Sequence, residues 1–175
     1  YSLYANTTGG YNTASGLSSM LCNTTGCFNT ASGTYSLFKN TTGDRNTASG
    51  YKALYSNTTA SNNTAIGGCS LFANTTGAAN TAVGYTALKA NTCGNCNTAL
   101  GNAALACNTT GYNNTALGFI ALCCNTTGHS NVAIGRNSLR VATSNLNTAI
   151  GAYALTDNTT GTENTATGYI ALGDN

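Results

Sequence analysis

Apolar and polar positions recur along this chain at one fixed interval. Gly16, Gly33, Gly50, Gly67, Gly84, Gly101, Gly118 and Gly135 stand 17 residues apart, Gly151 follows after 16 and Gly168 after 17. Before each glycine but Gly135 runs Asn-Thr-Ala-x-Gly, as in Asn46-Thr47-Ala48-Ser49-Gly50 or Asn63-Thr64-Ala65-Ile66-Gly67, and before Gly135 runs Asn-Val-Ala-Ile. After it comes an apolar position: Met20, then Leu37, Leu54, Leu71, Leu88, Leu105, Leu122, Leu139, Leu155 and Leu172. A third phrase, Asn-Thr-Thr-Gly, follows at Asn6, Asn23, Asn40, Asn74, Asn108, Asn125 and Asn158.

A repeat of this kind decides the fold. Each unit reads as two short strands and two turns. The first strand is Asn-Thr-Ala-x-Gly; the second is exemplified by Tyr51-Lys52-Ala53-Leu54-Tyr55-Ser56. Strand alternation puts Thr64 and Ile66 on one face and Asn63, Ala65 and Gly67 on the other. Asn-Thr-Thr-Gly is the wider turn, with glycine for positive φ and asparagine bonding its own backbone. Helical repeats need longer units, and Asn, Thr and Gly disfavour helix. The predicted fold is all-β: one parallel β-solenoid over residues 1–175, of about ten 17-residue rungs with two short strands each. At a spacing of about 4.8 Å such a rod is about 48 Å long.

The unit from Arg136 to Gly151 is one residue short, and the loss falls in Val141–Leu146, where Asn-Thr-Thr-Gly belongs. Turns absorb deletions, whereas a slip within a strand flips its side chains.

Stacking rungs places like residues in columns. The expected core ladder is Leu37, Leu54, Leu71, Leu88, Leu105, Leu122, Leu139 and Leu155, with an alanine column through Ala65, Ala82, Ala99 and Ala116. Nothing larger enters the alanine column, so the interior is thin. The asparagine columns either form amide ladders, as in stacked β structures, or set turn geometry. The position before the glycine runs Ser15, Ser32, Ser49, then Ile66, Val83, Leu100, Leu117, Ile134, Ile150, then Thr167. That column is either an oligomer contact or core. So meagre a core favours several rolls sharing a buried axis, a trimer first. Tyr1 and Asn175 fall in mid-repeat, so a section of a longer fibre, or a subunit stacking end to end, is expected.

Composition narrows the function. Only 6% of residues are charged and the formal net charge is +2, against about a quarter charged in ordinary domains. Lys39, Arg45, Lys52, Lys89, Arg136 and Arg140 are scattered, which argues against nucleic acid. No apolar run approaches the roughly 18 residues of a membrane span. Catalysis has little to work with: one histidine, His129, at a turn, and the acids Asp44, Asp157, Glu163 and Asp174, none paired in a cleft-forming position. No cofactor or metal is implied. Cys93-Gly94-Asn95-Cys96 lacks a second pair at zinc-ligand spacing.

The phrases NTAIG at Asn63, NTALG at Asn97 and NVAIG at Asn131, each followed by a small residue and leucine, resemble the head repeats of trimeric autotransporter adhesins. They are also similar to repeats of phage-type and giant-virus tail-fibre proteins. The resemblance spans the whole chain through a short motif, and the unit here is longer by its NTTG turn. It implies a left-handed parallel β-roll, a homotrimer and a role in surface attachment.

Asn-x-Thr acceptors for N-linked glycans occur at Asn6, Asn23, Asn40, Asn57, Asn62, Asn74, Asn108, Asn113, Asn125 and Asn158. They make a glycan-coated edge, unless the phrase is simply a good turn. Eight cysteines suggest disulfides and an oxidising compartment. Cys107 and Cys124 stand one rung apart, within disulfide reach; Cys22 with Cys27 and Cys93 with Cys96 are local pairs. A threonine column (Thr13, Thr30, Thr47, Thr64, Thr81, Thr98, Thr115, Thr148, Thr165, broken by Val132) suits ice binding if doubly ranked, or ordinary β-propensity. Tyr51, Tyr85, Phe119 and Tyr169 share the position after the glycine, as a carbohydrate stripe or as cover for strand edges. The expected function is a non-catalytic structural subunit or shaft of an extracellular, cell-surface or virion fibre, self-associating and glycan-bearing. The alternative is an adhesin or tail-fibre head that binds a surface glycan or receptor.

Overall fold

The computed structural model describes residues 1–173, so Asp174 and Asn175 lie outside the described residues. It is an all-β solenoid. Its strands are β1 (Thr13–Ser15), β2 (Thr30–Ser32), β3 (Thr47–Ser49), β4 (Thr64–Ile66), β5 (Thr81–Val83), β6 (Thr98–Leu100), β7 (Thr115–Leu117), β8 (Val132–Ile134), β9 (Thr148–Ile150) and β10 (Thr165–Thr167). They form one parallel sheet in sequence order. The register matches identical repeat positions, Ala48 beside Ala65 and Ala65 beside Ala82. It holds across the short unit, where Ala133 pairs with Ala149.

Each strand is alternately in and out. The central alanines Ala48, Ala65, Ala82, Ala99, Ala116, Ala133 and Ala149 have no exposed surface. The threonine before and the variable residue after face outward, with Ile66 at 43% exposure. The core is completed from the opposite wall by Leu37, Leu54, Leu71, Leu88, Leu105, Leu122, Leu139 and Leu155, all fully buried. Beside them lie Ala53, Ala87, Ala104 and Ala121, or serines whose hydroxyls donate inward: Ser36 Oγ bonds Gly33 O at 2.9 Å.

The expected second strand is a correction. Each rung carries one three-residue strand; the segment bearing the leucine is a run of stacked turns. Lys52 has φ 54° and Leu54 φ 50°, and the same two positions are positive rung after rung. Ala53 N donates to Gly50 O at 3.3 Å and Asn57 N to Leu54 O at 3.2 Å, which closes two successive turns. Between them Leu54 N reaches Ser70 O on the next rung and Lys52 N reaches Thr34 O on the previous one, both at 3.0 Å. Inter-rung bonding therefore persists without strand geometry. A non-glycine residue at positive φ is unfavourable, and the leucine tolerates it because its side chain is then aimed into the core.

The glycine that ends each strand is a steric requirement. Gly67 has φ 126°, and a Cβ there would stand 2.6 Å from Gly84 O. Both the backbone conformation and the space exclude a side chain.

Candidate functional site

The chemistry that repeats most regularly in this rod is amide chemistry, and it lies inside. The asparagines of the NTTG turns form one ladder. From Asn23 to Asn125, each Nδ2 donates to Oδ1 of the asparagine one rung earlier at 2.7–3.0 Å. The same nitrogen donates to the carbonyl three residues on, as Asn74 does to Gly77 O at 2.9 Å. Both hydrogens of the amide are thus used.

The asparagines before the strands form a second ladder with different bonding. Here the backbone N of each donates to the previous Oδ1, for example Asn80 to Asn63 at 2.9 Å. Its Nδ2 reaches forward to the next turn, as Asn80 does to Gly94 O at 2.8 Å. Of the two roles open to these asparagines, they perform both. The first threonine of the turn adds a third inter-rung tie: Thr41 Oγ1 donates to Thr58 O at 3.1 Å.

The short unit interrupts the first ladder. The alignment of the turns puts Ala142 where the next asparagine belongs, and Ala142 is fully buried. Asn125 Oδ1 is accordingly a buried acceptor without a hydrogen-bond donor. Ser144 takes the place of the turn glycine and accepts from Asn131 Nδ2 at 2.8 Å, so the second ladder continues past the fault.

This burial makes the expected glycan acceptors unequal. Asn23, Asn40, Asn57, Asn74, Asn108 and Asn125 are 0% exposed, and Asn158 is 2% exposed. Asn6 is partly buried, while Asn62 and Asn113, one position before the second ladder, are exposed.

The expected disulfides are not formed in the structure, where all eight cysteines are free thiols. Cys107 and Cys124 are exposed on adjacent rungs, and Cys107 is also tied to Cys123, whose carbonyl accepts from Cys107 N at 3.0 Å. Burial pushes the Cys123 thiol up to about 11, and the adjoining Cys107 and Cys124 add to the shift. Cys27 Sγ lies 3.3 Å from Thr25 O and 3.4 Å from Gly10 N, engaged with backbone rather than with Cys22. Cys93 and Cys96 are both exposed and unlinked.

The outer faces carry the rest. The threonine column faces outward beside a row that is aliphatic from Ile66 to Ile150, so it is singly ranked. Tyr51, Tyr85, Phe119 and Tyr169 are exposed and do not stack on one another. Stacked aromatic columns are a further finding, with Tyr11 on Phe28 at 4.9 Å and a longer run through Tyr55. Phe38 and Tyr55 lie 5.2 Å apart between ring centres and Tyr55 and Phe72 5.3 Å, with Tyr35 edge-on to Phe38. Lys39 and Lys52 sit over Tyr55 at 5.4 and 5.7 Å. The hydrogen bond from the Lys52 ammonium to Tyr51 raises its pKa. The 17-residue spacing of Phe38, Tyr55 and Phe72 is the signal that reveals them. Past Phe72 the column changes to Lys89, and an open hollow of about 540 Å³ lies between Phe72, Ala73, Lys89, Ala90 and Ala106. His129 stacks on Tyr112 at 4.6 Å. Asp157 pairs with Arg140 at 3.5 Å across one rung, both exposed.

Among the described residues no three His, Cys, Asp or Glu side chains gather as metal ligands, and no helix is long and apolar enough to cross a membrane. No family model, no curated protein and no solved structure matches the chain.

Proposed function

We propose that this protein is a non-catalytic structural shaft, part of an extracellular, cell-surface or virion fibre. The observation that carries the reading is the pair of asparagine ladders. They tie each rung to the next along the rod axis, in the direction in which a fibre bears load. Repeated inter-rung amide bonds of this kind give stacked β structures their resistance to unfolding. A catalyst needs residues of different chemistry brought together in a cleft; here each rung presents nearly the same groups as its neighbour.

Lateral self-association accompanies the role. The outward row Ile66, Val83, Leu100, Leu117, Ile134 and Ile150 is partly or fully exposed, and neither it nor the adjoining threonine row carries a charge. A trimer that closes three such sheets around one axis would bury this row. Electron cryo-microscopy of the purified protein tests the reading. Continuous filaments with a rung spacing of about 4.8 Å and the Ile66 row buried between chains are the expected result. Discrete particles with the row in solvent would contradict it.

A second reading, a head that binds a surface glycan, has the Phe72 hollow in its favour. Phe72 stacks on Tyr55 and lines the hollow together with Lys89. Loss of binding to a glycan array on Phe72→Ala, with the fold intact, would establish it; no binding by the parent protein would end it.

A further inference from the structure

Ten Asn-x-Thr sequences in one chain look like ten equivalent acceptors for a glycan, and the ladders make them unequal. We propose that the folded rod accepts N-linked glycans at Asn62 and Asn113, and that a glycan on any of the six ladder asparagines, Asn23, Asn40, Asn57, Asn74, Asn108 or Asn125, is incompatible with folding. The inference rests on the ladders and is independent of the fibre reading.

The chemistry is a group transfer with a fixed balance. Asparagine Nδ2 forms a bond to the anomeric carbon of a lipid-pyrophosphate-linked oligosaccharide. The carbon–oxygen bond to the pyrophosphate breaks, the pyrophosphate leaves with its lipid, and the amide gives up one proton. The product nitrogen keeps one N–H. In the ladder each Nδ2 needs two: Asn57 donates to Asn40 Oδ1 at 2.8 Å and to Ala60 O at 3.0 Å. A glycosylated Asn57 would break one of these bonds and would have to place a sugar where the side chain has no exposed surface. Neighbouring ladder positions are about 4.8 Å apart, too close for bulky glycans side by side.

Asn62 and Asn113 meet none of these obstacles. Both side chains are exposed. Only their backbone nitrogens are engaged, donating to Asp44 O at 3.0 Å and Asn95 O at 3.1 Å. They occupy one column, 51 residues and therefore three rungs apart, which is about 14 Å. Ala79 and Cys96 occupy that column on the rungs between. Glycans at the two sites would project from one corner of the rod without crowding.

The consequence concerns order of events. A transferase that acts on the nascent, extended chain meets the ladder sequences before they are buried. Modification there competes with folding, so a glycosylating lumen is expected to yield two populations: folded rods with sugar at Asn62 and Asn113, and unfolded chains with sugar on the ladder.

The test is secretion of the chain from a eukaryotic host, separation of protease-resistant from protease-sensitive material, and mapping of occupancy by enzymatic release in heavy-oxygen water. The resistant fraction is expected to carry sugar at Asn62 and Asn113 and none at the six ladder asparagines. An inhibitor of lipid-donor synthesis is expected to raise the resistant fraction. Resistant rods with sugar at any of the six ladder asparagines would overturn the proposal. So would resistant rods bare at both Asn62 and Asn113 while a control glycoprotein from the same cells is modified. If all the material is sensitive, failure of the inhibitor to restore resistance would overturn it equally.

Discussion

Removing one link from the middle of the first ladder measures what the ladder is worth. Asn74 Nδ2 donates to Asn57 Oδ1 at 3.0 Å and to Gly77 O at 2.9 Å, and its Oδ1 accepts from Asn91 Nδ2 at 2.9 Å. In Asn74→Ala the losses are unequal. Gly77 O keeps a donor in Asn63 Nδ2 at 2.9 Å, and Asn91 Nδ2 keeps Gly94 O at 3.0 Å. Asn57 Oδ1 loses its donor and stays buried, which costs about 1–3 kcal/mol. The space left by the amide adds about 1 kcal/mol, for about 3 kcal/mol in all. With a urea dependence of about 2 kcal/mol per molar, the unfolding midpoint followed by circular dichroism falls by about 1.5 M. Because coupling in a solenoid is between neighbours, the first segment to unfold should border the rung that carries Asn74. A fall of less than about 0.3 M, roughly 0.6 kcal/mol at that slope, would show that the ladder amides set geometry without contributing to stability. Asn74→Asp adds a pH signature. A carboxyl in this position donates only when protonated, so its folded pKa rises above the unfolded value of about 3.9. The variant is then most stable below about pH 4 and weakens as pH rises through the folded pKa; a variant that strengthens with pH would refute the burial.

Other perturbations probe separate parts of the account. Ala142→Asn offers a donor to the orphaned Asn125 Oδ1 and is expected to raise stability by up to about 1 kcal/mol after the ordering of its side chain, a rise of up to about 0.5 M in the urea midpoint; a lowered midpoint would mean that the shortened turn has no room for the amide. Gly84→Ala places a methyl group 2.5 Å from Gly101 O at φ 135° and should destabilise by at least about 2 kcal/mol, measured in the same titration. The Cys123 thiol, raised to about 11, should alkylate more slowly at pH 9 than exposed Cys124, with mass spectrometry reading the ratio; equal rates would contradict its burial.

The period, the strand positions and the buried columns were legible because each is written in residue identity. Only glycine fits at Gly67 and only alanine-sized side chains fit at Ala65, so the sequence repeats them. The deletion was placed correctly within Val141–Leu146, since β8 and β9 remain in register around it. The second strand was misread because its positive φ values fall on Lys52 and Leu54, where no glycine signals them. A small-x-leucine segment with outward polar residues looks the same in stacked turns as in a strand. The inequality of the ten acceptor sequences is hidden in the sequence for a related reason. Asn-Thr-Thr is at once an acceptor sequence and the ladder unit, and only the fold shows that the amide faces inward at Asn57 and outward at Asn62. The stacked column of Phe38, Tyr55 and Phe72 was present in the spacing, but its positions elsewhere hold Leu21, Lys89, Ala106 and Cys123, which hid the stripe.

The most direct measurement is side-chain amide hydrogen exchange by nuclear magnetic resonance. If the ladders hold the rungs together, the Nδ2 protons of Asn40, Asn57, Asn74 and Asn91 exchange slowly, opening only when the rod unfolds locally, while those of Asn62 and Asn113 exchange at the rate of a free amide. Equal, rapid exchange at both sets would contradict the account at its centre.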